Sequence, residues 1–159
     1  MTDEAFFNRV EQIRKKMFAI AYPYFRSESM AIDMVDEAIY KGFLKKRSLR
    51  QEEFFETWMI RILMNTCATQ YKRSSRHQSF EEYTQDRHIG SVLDAQKMEL
   101  MDAVSHLPND LQRVVSLKYF GGYTTVEIAD MLKIPQGTVS SRLRRAIEQL
   151  REELGGENV

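Results

Sequence analysis

Apolar side chains recur along this chain at spacings of three and four, with polar or charged residues between them. That is the period of helices with one buried face. Val10, Ile13, Met17, Ile20 and Ala21 mark a first amphipathic helix, which should end near Tyr22 because Pro23 follows. Ser27 or Ser29 is placed to cap a second helix. Its apolar positions are Ala31, Met34, Val35, Ala38, Ile39 and Phe43, and Asp33, Asp36, Glu37 and Lys41 lie outward. The period lapses over KKRSLRQEE, which predicts a loop. Phe54, Phe55, Trp58, Met59, Ile62, Leu63 and Thr66 then mark a third helix reaching about Arg73. Trp58 lies on the apolar stripe, where packing is its simplest role. Asn65 lies off the stripe and is harder to explain as packing.

Residues 74–96 are polar, acidic and short of apolar pairs, which predicts an extended linker. Periodicity resumes near Lys97. Met101, Val104 and Leu107 predict a helix that stops before Pro108. Asn109 or Asp110 should cap the next, with Leu111, Val114, Val115 and Leu117 apolar until Gly121-Gly122 ends it.

The stretch from Tyr123 to Leu154 carries the sharpest signal. Thr124-x-x-Glu127 reads as a capping box, with Tyr123 and Ile128 at the positions of a hydrophobic staple. Ile128, Ala129 and Leu132 form a short apolar face, and Lys133-Ile134-Pro135 interrupts the helix. A second helix places Val139, Leu143, Ala146, Ile147, Leu150 and Leu154 on one stripe. Gln136, Thr138, Ser140, Ser141, Arg144 and Arg145 lie opposite, all able to bond bases or phosphates. Two helices joined by so short a turn, the second basic and polar outward, fit a helix-turn-helix that lays its second helix in the major groove.

Composition narrows the picture. A chain of 159 residues, rich in helix formers and poor in Gly and Pro, predicts an all-α protein of one or two small domains. No apolar run approaches the roughly 20 residues of a membrane span. The first residues lack the basic and apolar regions of a secretory signal. A single cysteine, Cys67, forms no internal disulfide framework and fits a reducing compartment, so a cytoplasmic location is expected. His77, His88 and His106 lie in or near the linker without ligand spacing, and no nucleophile–base pair or phosphate-cradling glycine loop stands out. No catalytic role, metal or cofactor is expected.

The formal net charge of zero hides a strong asymmetry. From Lys41 to Ser79 nine basic residues face three carboxylates; from Phe80 to Asp110 two face seven. A basic middle and a basic final helix separated by an acidic stretch point to local nucleic-acid contacts.

Three runs, AIDMVDEAIYKGF, WMIRILMNTCATQYKR and LPNDLQRVVSLKYFGGYTTVEIADMLKIPQGTVSSRLRRA, occur in this order across an acidic linker. Together they resemble the bacterial RNA polymerase sigma factors of the extracytoplasmic-function class over nearly the whole chain, most specifically at PQGTVSSRLRRA. Asp36, Ile39 and Thr69 stand where the family more often has a glutamine, an aromatic residue and an aspartate.

The resemblance implies two helical domains, residues 1–75 and 97–159, joined by a flexible linker over 76–96. It implies core RNA polymerase and promoter DNA as partners, with the −35 element read as duplex and the −10 element as single strand. A cognate anti-sigma factor usually restrains such proteins. Asp33, Asp36 and Glu37 would face the basic clamp of the polymerase. Leu49, Arg50, Arg61 and Asn65 would hold and read an unstacked −10 base, with Lys72 and Arg73 on the strand backbone. Ser140, Ser141, Arg144 and Arg145 fall on −35 base-contacting positions, and Thr138 and Arg142 on phosphates. Arg142 is equally suited to brace the domain against an acid such as Glu127. A stand-alone helix-turn-helix regulator is the rival reading. It shares the C-terminal motif but leaves the basic, aromatic segment Arg47–Arg73 without a task.

Overall fold

The computed structural model describes residues 1–77 and 95–155. They are mostly helical, without strands among the described residues, and fall into two compact units. The stretch 78–94, which holds most of the expected linker and His88, lies outside the described residues.

The first unit packs three helices against one another: α1 (Asp3–Phe25), α2 (Glu28–Leu44) and α3 (Phe55–His77). Helix α1 begins where Thr2 Oγ1 accepts the Ala5 amide at 3.1 Å. Its buried residues Phe6, Val10, Ile13, Met17 and Ile20 keep the expected stripe. It does not stop at Tyr22. Pro23 sits inside the last turn, and the helix closes only at Arg26, whose φ is 55° and whose amide bonds the Tyr22 carbonyl. One missing N–H near a helix end is a small loss, and burial of Tyr22, Tyr24 and Phe25 offsets it.

Ser27, and not Ser29, caps α2 by accepting the Met30 amide at 3.2 Å. Ala31, Met34, Val35, Ala38 and Ile39 are buried as expected. Helix α3 supplies Phe55, Met59, Ile60, Leu63, Met64 and Cys67 to the core, while Phe54 is exposed and Ile62 and Trp58 are only half-buried. The Trp58 ring lies 6.0 Å from that of Phe55, at the edge of an aromatic group with Phe6 and Phe43. The Cys67 thiol is sealed. Burial raises its pKa far above the ordinary thiol value, and the nearby Glu37 carboxylate adds to the shift.

The second unit contains α4 (Ala95–Ser105), α5 (Asn109–Val115), α6 (Thr125–Leu132) and α7 (Gln136–Glu153). Pro108, not Asn109 or Asp110, occupies the cap position of α5; its carbonyl accepts from Leu111 and Gln112 at 3.0 and 2.9 Å. Helix α5 does not end cleanly either. Residues Ser116–Phe120 continue as a wider turn, in which the Gly121 amide bonds the Ser116 carbonyl at 3.0 Å. A side chain at Gly121 would place its Cβ 2.6 Å from the Leu117 carbonyl oxygen, and Gly122 turns the chain with φ of 75°. The chain is thereby brought into Tyr123 and α6. His106 follows α4, and its Nδ1 lies 2.6 Å from Glu153 Oε1 of α7.

Candidate nucleic-acid interface

The helix-turn-helix assembles from its caps. Thr124 Oγ1 accepts the Glu127 amide at 3.2 Å, and Glu127 Oε1 accepts the Thr124 amide at 2.9 Å. This reciprocal pair fixes the start of α6. Tyr123 and Ile128 are both buried on either side of it. Lys133, with φ of 58°, stops α6, and Pro135 holds the cap position of α7. Val139, Ala146 and Leu150 of α7 are buried against the domain, with Met131 of α6 buried where the sequence pattern favoured Leu132. Leu143, Ile147 and Leu154 are half-buried.

These contacts fix which side of α7 faces out. Gln136, Ser140, Ser141, Arg144 and Arg145 are exposed, with Thr138 half-buried beside them. The Ser141 hydroxyl donates to the Thr138 carbonyl at 3.1 Å, leaving its oxygen as an acceptor. Arg142 does not meet Glu127, which is committed to the capping box. It lies 3.8 Å from Asp110 of α5 through Nε, with its side chain 27% exposed. The acid that braces it thus comes from α5, far from the position sequence proximity suggested.

In the first unit the candidate −10 residues occupy one side of α3 and the preceding loop. Arg61, Asn65 and Lys72 follow one another at helical spacing, Asn65 and Lys72 exposed and Arg61 half-buried, with Trp58 a turn earlier. Arg73 is exposed at the adjoining position. Asn65 stands in the middle of α3. Leu49 and Arg50 lie in the loop between two short 3-10 turns, Lys46–Ser48 and Glu52–Phe54, Arg50 exposed and Leu49 half-buried.

On α2, Asp33, Asp36 and Glu37 are exposed. Two of the three already have cationic neighbours: Arg14 is 3.4 Å from Asp36, and Lys41 is 3.9 Å from Glu37. Arg14 also bonds Glu11 at 2.7 Å and holds that carboxyl below its ordinary pKa. The same side of α2 exposes Ile32, Tyr40 and Leu44, which the sequence pattern did not single out. Their spacing from Asp33 and Glu37 along the helix was the available signal. A hollow of about 280 Å³ lies beside Ile32, lined by Arg14, Lys15, Phe18, Ile32, Val35 and Asp36. Among the described residues no group of His, Cys, Asp and Glu is placed to hold a metal ion, and no helix is long and apolar enough to cross a membrane.

Comparison with known proteins adds to this geometry. The sequence profile of sigma-70 region 4 matches residues 97–150. The chain is 26% identical to the ECF RNA polymerase sigma-E factor of Haemophilus influenzae, covering 97% of this chain and 96% of that protein. It is 24% identical to the RNA polymerase sigma factor SigV of Bacillus subtilis, covering 92% and 89%. Its fold is shared by the sigma factor RpoE of Bartonella quintana, solved with the anti-sigma factor NepR, at a TM-score of 0.78 and 23% identity over 98% of this chain and 99% of that one. CnrH, solved with the cytosolic domain of CnrY, has the same fold at a TM-score of 0.76 and 17% identity, covering 99% and 92%.

Proposed function

We propose a division of labour between the two units of this chain, which is an alternative RNA polymerase sigma factor of the extracytoplasmic-function class and directs promoter-specific transcription initiation. Residues 97–159 read the −35 element as duplex through α7. Arg144 and Arg145 pair with base edges, Ser140 and Ser141 add weaker contacts, and Thr138 holds a phosphate. Arg142 is assigned to bracing through Asp110, with a phosphate contact open to its remaining donors.

Residues 1–75 bind core polymerase and open the −10 element. Asn65 pairs with the edge of an extruded base, Leu49 and Arg50 wall it from the loop, and Arg61, Lys72 and Arg73 follow the strand backbone. The core polymerase docks on the exposed side of α2. Asp33 and Glu37 supply charge complementarity there, Ile32, Tyr40 and Leu44 supply apolar contact, and Asp36 is partly neutralised by Arg14. The protein works in the cytoplasm beside the polymerase, restrained by an anti-sigma factor, and carries no active site of its own.

One observation carries the reading: the cationic and amide stripe of α3 and the basic loop before it form a surface suited to single-stranded DNA, in a chain that also holds a duplex reader. A stand-alone regulator has no use for the first of these. The test is to map transcripts made on genomic DNA by core polymerase with and without this chain. Discrete new start sites sharing −35 and −10 sequences are expected. Tight DNA binding with no new start sites would return the chain to the regulator reading.

A further inference from the structure

None of residues 44–54 is buried, so the loop joining α2 to α3 takes little stability from the hydrophobic effect. Bonds inside it shape only local turns: Ser48 Oγ donates to the Lys45 carbonyl at 2.7 Å, and the Phe54 amide to the Gln51 carbonyl at 3.0 Å. The placement of the loop on the domain comes from the start of the chain: the Met1 ammonium lies 3.6 Å from Glu52 Oε1, and two further ties come from α1. Lys46 Nζ lies 3.1 Å from Asp3 Oδ1 and 4.7 Å from the Phe43 ring centroid. Its ammonium is held between a carboxylate and an aromatic face, with the side chain 17% exposed. Near the far end of the loop, Arg9 Nη1 donates to the Glu52 carbonyl, while its guanidinium lies 5.6 Å from the Phe55 ring centroid.

Asp3 and Arg9 stand on one helix, about 9 Å apart along its axis. Phe6 between them is fully buried, its ring 5.7 Å from Phe43 and 5.6 Å from Phe55. The two ties therefore rest on a well-packed support. Arg47, Leu49 and Arg50 lie between the tied points.

We propose that Asp3 and Arg9 are positioning residues for promoter opening, acting through the loop they hold and not by touching DNA. The inference rests on the reading that Leu49 and Arg50 meet the −10 strand. A loop without buried side chains samples many conformations unless tied, and ordering it on capture of an unstacked base weakens that capture. Tying both ends beforehand removes part of that cost. One tie is a partly exposed ion pair and the other a charge-assisted bond to a carbonyl, so loss of either should weaken strand binding by about 3- to 10-fold.

The test uses the full chain assembled with core polymerase. The probe is a fluorescent non-template oligonucleotide spanning a −10 element taken from the mapped start sites. Its affinity is measured over a salt series for Asp3→Ala, Arg9→Ala, Arg50→Ala and the combinations of each tie with Arg50→Ala. Each tie variant should bind about 3- to 10-fold more weakly with the salt slope unchanged, and the loss should shrink when Arg50 is already alanine. Asp3→Asn, an isosteric change that removes only the charge, should reproduce the Asp3→Ala loss with an unchanged melting temperature, and it carries the test if Arg9→Ala unfolds the domain. A salt slope reduced by about one in Arg9→Ala would make Arg9 a phosphate contact and overturn the inference. So would losses that stay full-sized in the Arg50→Ala background. Parental binding by both tie variants alongside weakened Arg50→Ala overturns the brace alone. Parental binding by Arg50→Ala and Leu49→Ala as well removes the loop from the −10 strand and the brace with it.

Discussion

Asn65 is an exposed amide flanked in sequence by buried Met64 and Thr66, so its backbone is fixed by packing while its side chain is left to solvent. That combination suits a reader, because the helix meets the cost of placing the amide before any base arrives. Asn65→Ala and Arg50→Ala should recruit polymerase and form closed complexes but few open ones. Permanganate footprinting separates them: a pre-melted bubble should rescue Arg50→Ala more than Asn65→Ala if the first aids strand separation and the second reads the base. At the duplex end, Arg144→Ala and Arg145→Ala should each lower transcription from a −35-dependent promoter, with a bidentate guanine contact worth about 1–3 kcal/mol. Affinity for core polymerase, measured in parallel, should not change. Which residues point outward was legible in the sequence wherever the helical period was clean, as on α7. It was less legible for Trp58, which the period places inward but which sits half-buried at the edge of an aromatic group. Nor could spacing along the chain show that the acid facing Arg142 is Asp110, since that pairing depends on how α5 packs on α7.

The elements differ from their sequence outlines mainly at their ends. Pro23 argued for stopping α1 early, yet the proline falls in the last turn, and buried aromatic residues around it outweigh one lost bond. Phe6 was missed because the helix starts at Asp3, before the first clear apolar repeat. The turn before the helix-turn-helix was harder still. A glycine pair signalled an end, but not that Ser116–Phe120 widen the helix first. Gly121 is required there by contact: an alanine Cβ would meet the Leu117 carbonyl at 2.6 Å as well as the Tyr123 ring. Gly121→Ala should therefore destabilise the second unit by about 1–3 kcal/mol, read by calorimetry as a lowered transition. It should also weaken −35 duplex binding, because Tyr123 leads directly into the capping box of α6. Thr124 and Glu127, by contrast, were readable from four letters, since a capping box is local chemistry and needs no tertiary partner.

At the scale of the molecule, zero net charge is divided between a basic stretch and an acidic one, so the electrostatic attraction each offers a partner is local. The exposed side of α2 proposed to dock on core polymerase carries less net negative charge than its sequence suggests, because Arg14 from α1 reaches Asp36. A test of docking is therefore cleaner at Asp33 than at Asp36, where a new lysine would also repel Arg14. Asp33→Lys should reduce affinity for core polymerase by about tenfold or more, as like charges across an interface cost up to several kcal/mol. The same variant should leave −35 duplex binding by the chain unchanged in a gel-shift titration. A further consequence follows from Cys67, the sole thiol of the chain, buried with its pKa pushed far upward. A thiol in that state is neither nucleophilic nor reachable while the three-helix core is intact. Disulfide exchange and peroxide therefore find no sulfhydryl handle on the folded protein. If the genes it switches on answer to oxidants through cysteine chemistry, the sensing sulfur belongs to another molecule, and this chain only carries the signal onward to the promoter.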